Sequence, residues 1–328
     1  MHEVLDTVTL KSGETMDVLC VRAPDDQLAD AILPLLHHKG EPWEWPMRRA
    51  LAGDERFRDL AMRFYLGRIG HDLVGNITLI EKLERPVGIL QHVWTPPPHR
   101  RKGICTVLMR ACTEHFKRRQ GRALYLGTGY QTPPYWIYHR FGFRGQGQTG
   151  LMRWFVEDDF EQAYFAPRQA HPRPVQWPDW ALLQALFSVE HGWALRSIEF
   201  QIYGFSGFEG EFLLLQKGLD SGKMLAAHVL ETDDGALVGL ATLSKQPQWH
   251  FDTLLLDIFV NDNFVEHGGK LLRSLPDVDR KVQCYVGEEA PEKAHMLEAV
   301  GFQREATLKG QYVWEGEPRE VWVYSVFR

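Results

Sequence analysis

The order of apolar and polar positions divides the chain into short strands and helices. Residues 16–23 (MDVLCVRA) form a compact apolar run of strand length. Residues 25–38 (DDQLADAILPLLHH) place apolar residues at helical spacing behind an acidic start, with Pro34 set to kink or divide the helix. The segment EPWEWPMRRALAGDERF opens on Pro and Trp and has room for a second short helix. FYLGRIGHDLVGNITLIE and PVGILQHVWT are β-rich runs separated by turn residues, the pattern of an antiparallel meander. After Gly103 the period changes: Ile104, Val107, Leu108, Ala111 and Phe116 fall near one face of a helix running to about Gln120. A strand at 123–129 (ALYLGTG), a short helix PPYWIYHRF stopped by Gly142, and a strand within RGQGQTGLMRWF complete this half.

Residues 156–180 are rich in Pro, charge and aromatic rings, so a domain boundary is expected near 165–172, giving domains 1–165 and 166–328. The second half then repeats the order of the first. WALLQALFSVEHG is predicted as a helix, and EGEFLLLQKG, ALVGLATLS and TLLLDIFV as strands. A glycine-containing turn and helix (EHGGKLLRSL), the strand KVQCYVG and the helix EKAHMLEAV follow, the last stopped by Gly301–Phe302. The pairs LVGNITL/LVGLATL and FGF/VGF recur in matching places, which implies two copies of one α/β (α+β) fold.

At 328 residues, 44% hydrophobic and 24% charged, the chain is long enough for two domains with proper cores. Its net charge of −6 gives no chain-wide basic footprint, so nucleic acid is not expected as a partner. The four cysteines stand far apart with no CxxC pair, so no metal is expected and reduced thiols in a cytoplasm are the plain reading. The first residues lack the apolar stretch of a secretory signal, and no apolar run approaches the roughly 20 residues of a membrane span.

The strongest chemical signal is VWTPPPHRRKGICTVLMRAC, residues 93–112. A strand ends, a Pro-rich turn leads into Arg100-Arg101-Lys102-Gly103, and a helix follows at once. That order aims the unpaired N–H groups and positive end of a helix at one point, suited to phosphate. Gly103 lets the backbone approach an anion, and three cations stand beside it. A basic turn that merely caps a helix would share the charges, but not the whole arrangement.

The arrangement strand, Pro turn, R-x-x-G-x-(small residue), amphipathic helix resembles the acetyl-CoA loop of the GNAT acyltransferases. Arg100 and Gly103 match the family pattern, and Cys105 stands where Gly or Ala is usual. Tyr138-His139-Arg140-Phe141-Gly142-Phe143 resembles the second family motif, whose Tyr commonly protonates the departing CoA thiolate. A phenol with an ordinary pKa near ~10 is able to do this; packing beneath the helix is the bland alternative. Gln131 stands where many members have a cofactor-contacting Asn, and Pro134 where Ala is usual.

The resemblance implies two tandem GNAT-like domains, each a mixed, mostly antiparallel sheet flanked by helices. It implies acetyl-CoA or another acyl-CoA as co-substrate, with Val93, Trp94 and Thr95 pairing with the pantetheine arm. Arg100, Arg101, Lys102, Gly103, Ile104, Cys105, Thr106 and Gln131 complete the implied cofactor contacts. The general base is less defined: Glu81, His92 and Glu44 are candidates, each with a plain reading as a surface charge or a satisfied strand histidine, and His71 reads as a solvated turn residue. Trp43 and Trp45 are candidates to wall an acceptor pocket.

Aligned on the second copy, Val265 replaces Arg100, Lys270 replaces Cys105, Leu297 replaces Tyr138, and Asp257, Asp262 and Glu266 make the turn acidic. The C-terminal domain is therefore expected to be degenerate, completing an acceptor cleft or a homodimer interface. The expected activity is transfer of an acetyl group to an amine of a small molecule or peptide, by direct attack in a ternary complex. A covalent route through Cys105 or Cys112 has no His/Asp partner in the sequence to support it. Two alternatives stay open: a non-catalytic acyl-CoA-binding module, and an enzyme of this fold using another acyl group or a carrier-protein thiol.

Overall fold

The computed structural model describes residues 2–250 and 252–327. It divides into two compact units, Met1–Phe160 with Trp177–Ala181, and Glu161–Gln176 with Leu182–Arg328. Each contains a mixed, mostly antiparallel sheet, of eight strands in the first unit and seven in the second. Among the described residues no helix is long and apolar enough to cross a membrane.

The first unit runs β1 (His2–Thr9), β2 (Thr15–Arg22), α1 (Asp26–Ile32), α2 (Glu41–Leu51), β3 (Leu60–Ile69), β4 (Asp72–Lys82), β5 (Val87–Trp94), α3 (Ile104–Arg118), β6 (Ala123–Gly127), α4 (Pro133–Arg140), β7 (Arg144–Gly145) and β8 (Leu151–Phe155). The sheet order is β1-β2-β3-β4-β5-β6-β8-β7, with β5–β6 as its parallel pair. β3, β4 and β5 are buried along most of their length, so they read as continuous apolar runs rather than alternating ones. Gly75 on β4 lets α3 press onto the sheet: a Cβ there would lie 2.7 Å from Ile104 Cγ2 and 3.2 Å from Leu108 Cδ1.

The expected helix over 25–38 is divided as Pro34 requires. α1 begins at Asp25, whose carboxylate accepts from Leu28 N at 3.2 Å, and gives way at Leu33–Leu35 to tighter turns reaching Lys39. β1 escapes the sequence pattern because it is an edge strand with almost every residue exposed or half-exposed.

The second unit begins within α5 (Phe160–Tyr164) and continues through β9 (Ala170–Pro174), α6 (Trp180–Phe187), whose first residues belong to the first unit, and β10 (Leu195–Ser197) and β11 (Ile202–Tyr203). It goes on with α7 (Glu209–Asp220), β12 (Met224–Thr232), β13 (Leu237–Lys245), β14 (Thr253–Val260), α8 (Gly268–Ser274), β15 (Lys281–Gly287), α9 (Pro291–Glu298), β16 (Gln303–Trp314) and β17 (Glu317–Phe327). Its sheet order is β16-β17-β15-β14-β13-β12-β9, with β14–β15 parallel.

The recurring pairs occupy equivalent places. LVGNITL lies in β4 and LVGLATL in β13, and Gly239, like Gly75, sits under a helix, its Cβ position 3.3 Å from Leu271 Cδ2 of α8. Gly142 and Gly301 both stand in the left-handed region, at φ 91° and 95°, just after α4 and α9. One element differs: EGEFLLLQKG is helix α7, not a strand. Phe212, Leu215 and Gln216 are buried at helical spacing while Leu214 is 60% exposed, so the leucine run follows a period of 3.6.

Candidate active site

Along the β4–β5 pair the register breaks between Asn76↔Trp94 and Thr78↔Gln91, so β5 carries one extra residue, with His92 and Val93 together opposite Ile77. His92 absorbs the bulge at φ 47°, a backbone state that is unusual for a residue with a side chain. Its carbonyl is pinned by Asn76 Nδ2 at 2.8 Å, and the same amide nitrogen donates to Thr78 Oγ1 at 3.0 Å. Sequence reading missed Asn76, because only the pairing register reveals what its amide holds.

β5 and β6 pair only through Val87–Ile89 and Ala123–Tyr125. Beyond that point a cavity of about 760 Å³ opens. Its walls include Leu90 to Thr95 from β5 and its end, Gly127 and Thr128 after β6, and Ile137 and Tyr138 from α4. Arg100, Arg101 and Gly103 to Thr106 line it from the loop and first turn of α3, and His38 and Lys39 from the turn before α2.

The loop is built for close approach. Gly103 caps α3 at φ 90° with no side-chain cap, so the first-turn N–H groups are left to the cavity. Arg101 is also left-handed, at φ 65°. Arg100 donates from Nε to Thr95 O at 3.0 Å, and its guanidinium lies 4.9 Å over the Trp94 ring. The other face of the site carries His38, whose ring stacks on Trp94 with centroids 4.6 Å apart. This donor set suits an anionic pyrophosphate: backbone N–H groups, a helix N-terminus and arginines.

Of the residues expected to serve the site, His92, Val93, Trp94, Thr95, Arg100, Arg101, Gly103, Ile104, Cys105, Thr106 and Tyr138 line this one cavity. Lys102 does not; its Nζ is held by Glu14 Oε2 at 2.8 Å. Gln131 also stands apart, with Nε2 3.3 Å from Tyr130 OH and its own carbonyl accepting from Trp136 Nε1. Glu81 is not among the lining residues either: it is buried and paired with Arg63 Nε at 2.7 Å and with Arg119. Those ion pairs give Glu81 a structural task. Glu81→Ala is expected to destabilise the first unit by about 3–5 kcal/mol, since it leaves two guanidiniums uncompensated. A denaturant titration checks this, and an unchanged midpoint would contradict it.

Glu44 is likewise engaged. Burial alone would raise its carboxyl, but hydrogen bonds with His37 and Arg48 hold it below the ordinary range. Trp45 packs against Phe57 and Trp177, and Trp43 lies beneath Lys39 Nζ at 4.8 Å; neither lines the cavity. His71 lies exposed in the turn between β3 and β4.

His92 is 1% exposed; among the described residues neither ring nitrogen has a well-formed hydrogen bond, and the Trp43 backbone is the group that comes near enough to act on it. Burial, then the charge of Lys39, pushes its pKa down to about 3. Burial also lowers His38. An unfolded chain takes up the His92 proton as pH falls below 6.5, whereas the folded chain takes it up only near 3, so stability rises with pH through that window. Lowering pH from ~7.5 to ~5 is expected to remove about 2 kcal/mol through His92 alone. Urea midpoints measured at both values check this: in His92→Gln the drop should be visibly smaller. An equal drop in the variant would mean that the imidazole charges freely in the folded state.

Burial pushes the Cys105 thiol up to about 11 and Cys112 further still, which disfavours either as a thiolate nucleophile. Elsewhere in the first unit, Glu3, Cys20 and His115 bring ligand-type atoms within 4.8 Å of one another. The cations of Arg63 and Arg119 act on the same groups, which opposes a dication there.

The matching strand end of the second unit is closed by its own chain. Asp257 on β14 accepts from Ser197 Oγ at 2.6 Å, Ile198 N at 3.1 Å and Glu199 N at 2.7 Å. Gly268 is in the ordinary helical region at φ −61°, unlike Gly103, and the turn before it carries Asp262 and Glu266.

Residues 29–143, which lie within the first unit, match the model of the acetyltransferase (GNAT) family. No curated protein matches the chain. Among solved structures, similarity extends to spermidine N-acetyltransferase from Vibrio cholerae in complex with CoA and spermine, at 18% identity over 48% of this chain and 95% of that one, with a TM-score of 0.36. It also extends to ribosomal-protein-alanine N-acetyltransferase from Brucella melitensis, at 18% identity over 48% and 99%, TM-score 0.39. A phosphinothricin acetyltransferase from Sinorhizobium meliloti in complex with AcCoA is 15% identical over 49% and 89%, TM-score 0.40.

Proposed function

We propose that the first unit is an acyl-CoA-dependent N-acyltransferase, most simply an acetyltransferase, in which an acceptor amine attacks the thioester directly. One observation carries this: the N-terminus of α3, the bulged end of β5 and Tyr138 converge on a single cavity of about 760 Å³.

The N–H groups of the first turn of α3, with Arg100 and Arg101, would hold the pyrophosphate. β6 leaves β5 beyond Ile89, and the bulge takes His92 and Val93 out of register with β4, so the β5 backbone there would be open to pair with a pantetheine arm and to polarise the thioester carbonyl. Tyr138 lines the cavity from α4 and would give a proton to the departing sulfur. His92, neutral at physiological pH, would accept a hydrogen bond from the incoming amine and orient it. With a conjugate acid near 3 it is too weak to hold that proton, which would leave through water toward His38. The second unit would act in support, without acyl transfer of its own.

Release of free thiol from acetyl-CoA, followed while a panel of amines is added, tests the reading. Amine-dependent release with formation of an acetylated product is expected. Tight binding of acetyl-CoA with no release for any amine would leave a binding module instead.

A further inference from the structure

The charges around the cavity narrow the acceptor, given the transferase reading above. Among the described residues, its lining holds Lys11, Lys39, Arg100 and Arg101 and no carboxylate. The arginines belong to the loop that follows Thr95. Lys39 stands elsewhere, at the end of the turn before α2, next to His38, whose ring meets His92 edge-on at 5.6 Å. The charge of Lys39 adds to burial in lowering His92. The cavity thus has a second positive centre, Lys39, carried by a segment separate from the arginine loop.

Lys39 is half-buried and makes no ion pair among the described residues; its Nζ rests over the Trp43 ring. Glu44, the buried carboxylate of the following helix α2, is already engaged by His37 and Arg48. A cationic acceptor would meet unopposed positive charge, and like charges brought together in a half-buried site are strongly unfavourable. An acceptor with its own anion would supply the counter-charge that Lys39 lacks. Lys39 would also favour the neutral, attacking form of a nearby amine, because a neighbouring cation disfavours the ammonium.

We propose that the acceptor is an amine carrying an anionic group close to the nitrogen, a carboxylate or a phosphate, which pairs with Lys39, and that polyamines are excluded. The test is thiol release from acetyl-CoA with matched acceptors. Free amino acids are compared with their carboxamides, and amino-sugar phosphates with the unphosphorylated amino sugars. Spermidine serves as the polycation. Each is assayed with the parent protein, Lys39→Gln and Lys39→Arg. Anionic members of one or both pairs are expected to exceed their neutral partners at least tenfold in kcat/KM; which pair responds tells carboxylate from phosphate. Lys39→Gln should erase most of that advantage through KM, and Lys39→Arg should restore it. Equal or better turnover of the neutral member in both pairs, or of spermidine against the anionic acceptors, would overturn the inference while leaving the transferase reading intact. An advantage that survives in Lys39→Gln would overturn the role of Lys39. Failure of every amine to release thiol would remove the transferase reading, and this inference with it.

Discussion

Tyr138→Phe is expected to lower the rate of acyl transfer by about two to four orders of magnitude and to leave acetyl-CoA affinity nearly unchanged. The residue is 7% exposed and lines the cavity from α4. Its ring packs beside Phe143, with centroids 6.0 Å apart, and phenylalanine keeps that packing while removing the hydroxyl. The loss should therefore appear in kcat and not in binding or in the unfolding midpoint. If kcat holds, Tyr138 is a packing residue and the sulfur takes its proton from water.

Gly103→Asp is expected to weaken acetyl-CoA binding at least about 100-fold, with the chain still folded. Position 103 is the N-cap of α3, and an Asp carboxylate there turns toward the first-turn N–H groups, which favours the helix. The same carboxylate occupies the place meant for phosphate and repels it. A Cβ at 103 meets nothing within 4 Å, so crowding does not confuse the result, although φ 90° adds some backbone strain. Gly103→Asn is the control, with the same shape and the same strain but no charge. Asn should retain clearly more affinity than Asp. Equal affinities in the two variants would mean that α3 does not meet an anion.

The loop and Tyr138 were legible in the sequence because each depends on local order: a strand end, a turn with glycine, then a helix, or a short helix before Gly-Phe. The order of strands around β4 and β5 was legible for the same reason, since apolar runs of strand length alternate with turn residues. Other features depend on pairing across the sheet. Asn76 and the bulge at His92 emerge only from the β4–β5 register, and Lys39 lines the cavity from the tight turns that follow α1, which no periodicity announces. Glu81 shows how pairing in space changes the reading of a residue. A carboxylate on a central strand invites a catalytic reading, but Arg63 on β3 and Arg119 after α3 close around it in three dimensions. The sequence pattern gives no sign of β1 and reads α7 as a strand, for opposite physical reasons: an exposed edge strand has no hydrophobic signature, and three consecutive leucines conceal a helical period.

The central claim is a single acyl-CoA site per chain, at the N-terminus of α3. Calorimetric titration of the whole protein with acetyl-CoA tests it most directly. The account predicts one site per chain, because Gly103 presents free N–H groups while the equivalent end of β14 is filled by Ser197–Glu199 bound to Asp257. Two sites per chain, or none in folded protein, would contradict it.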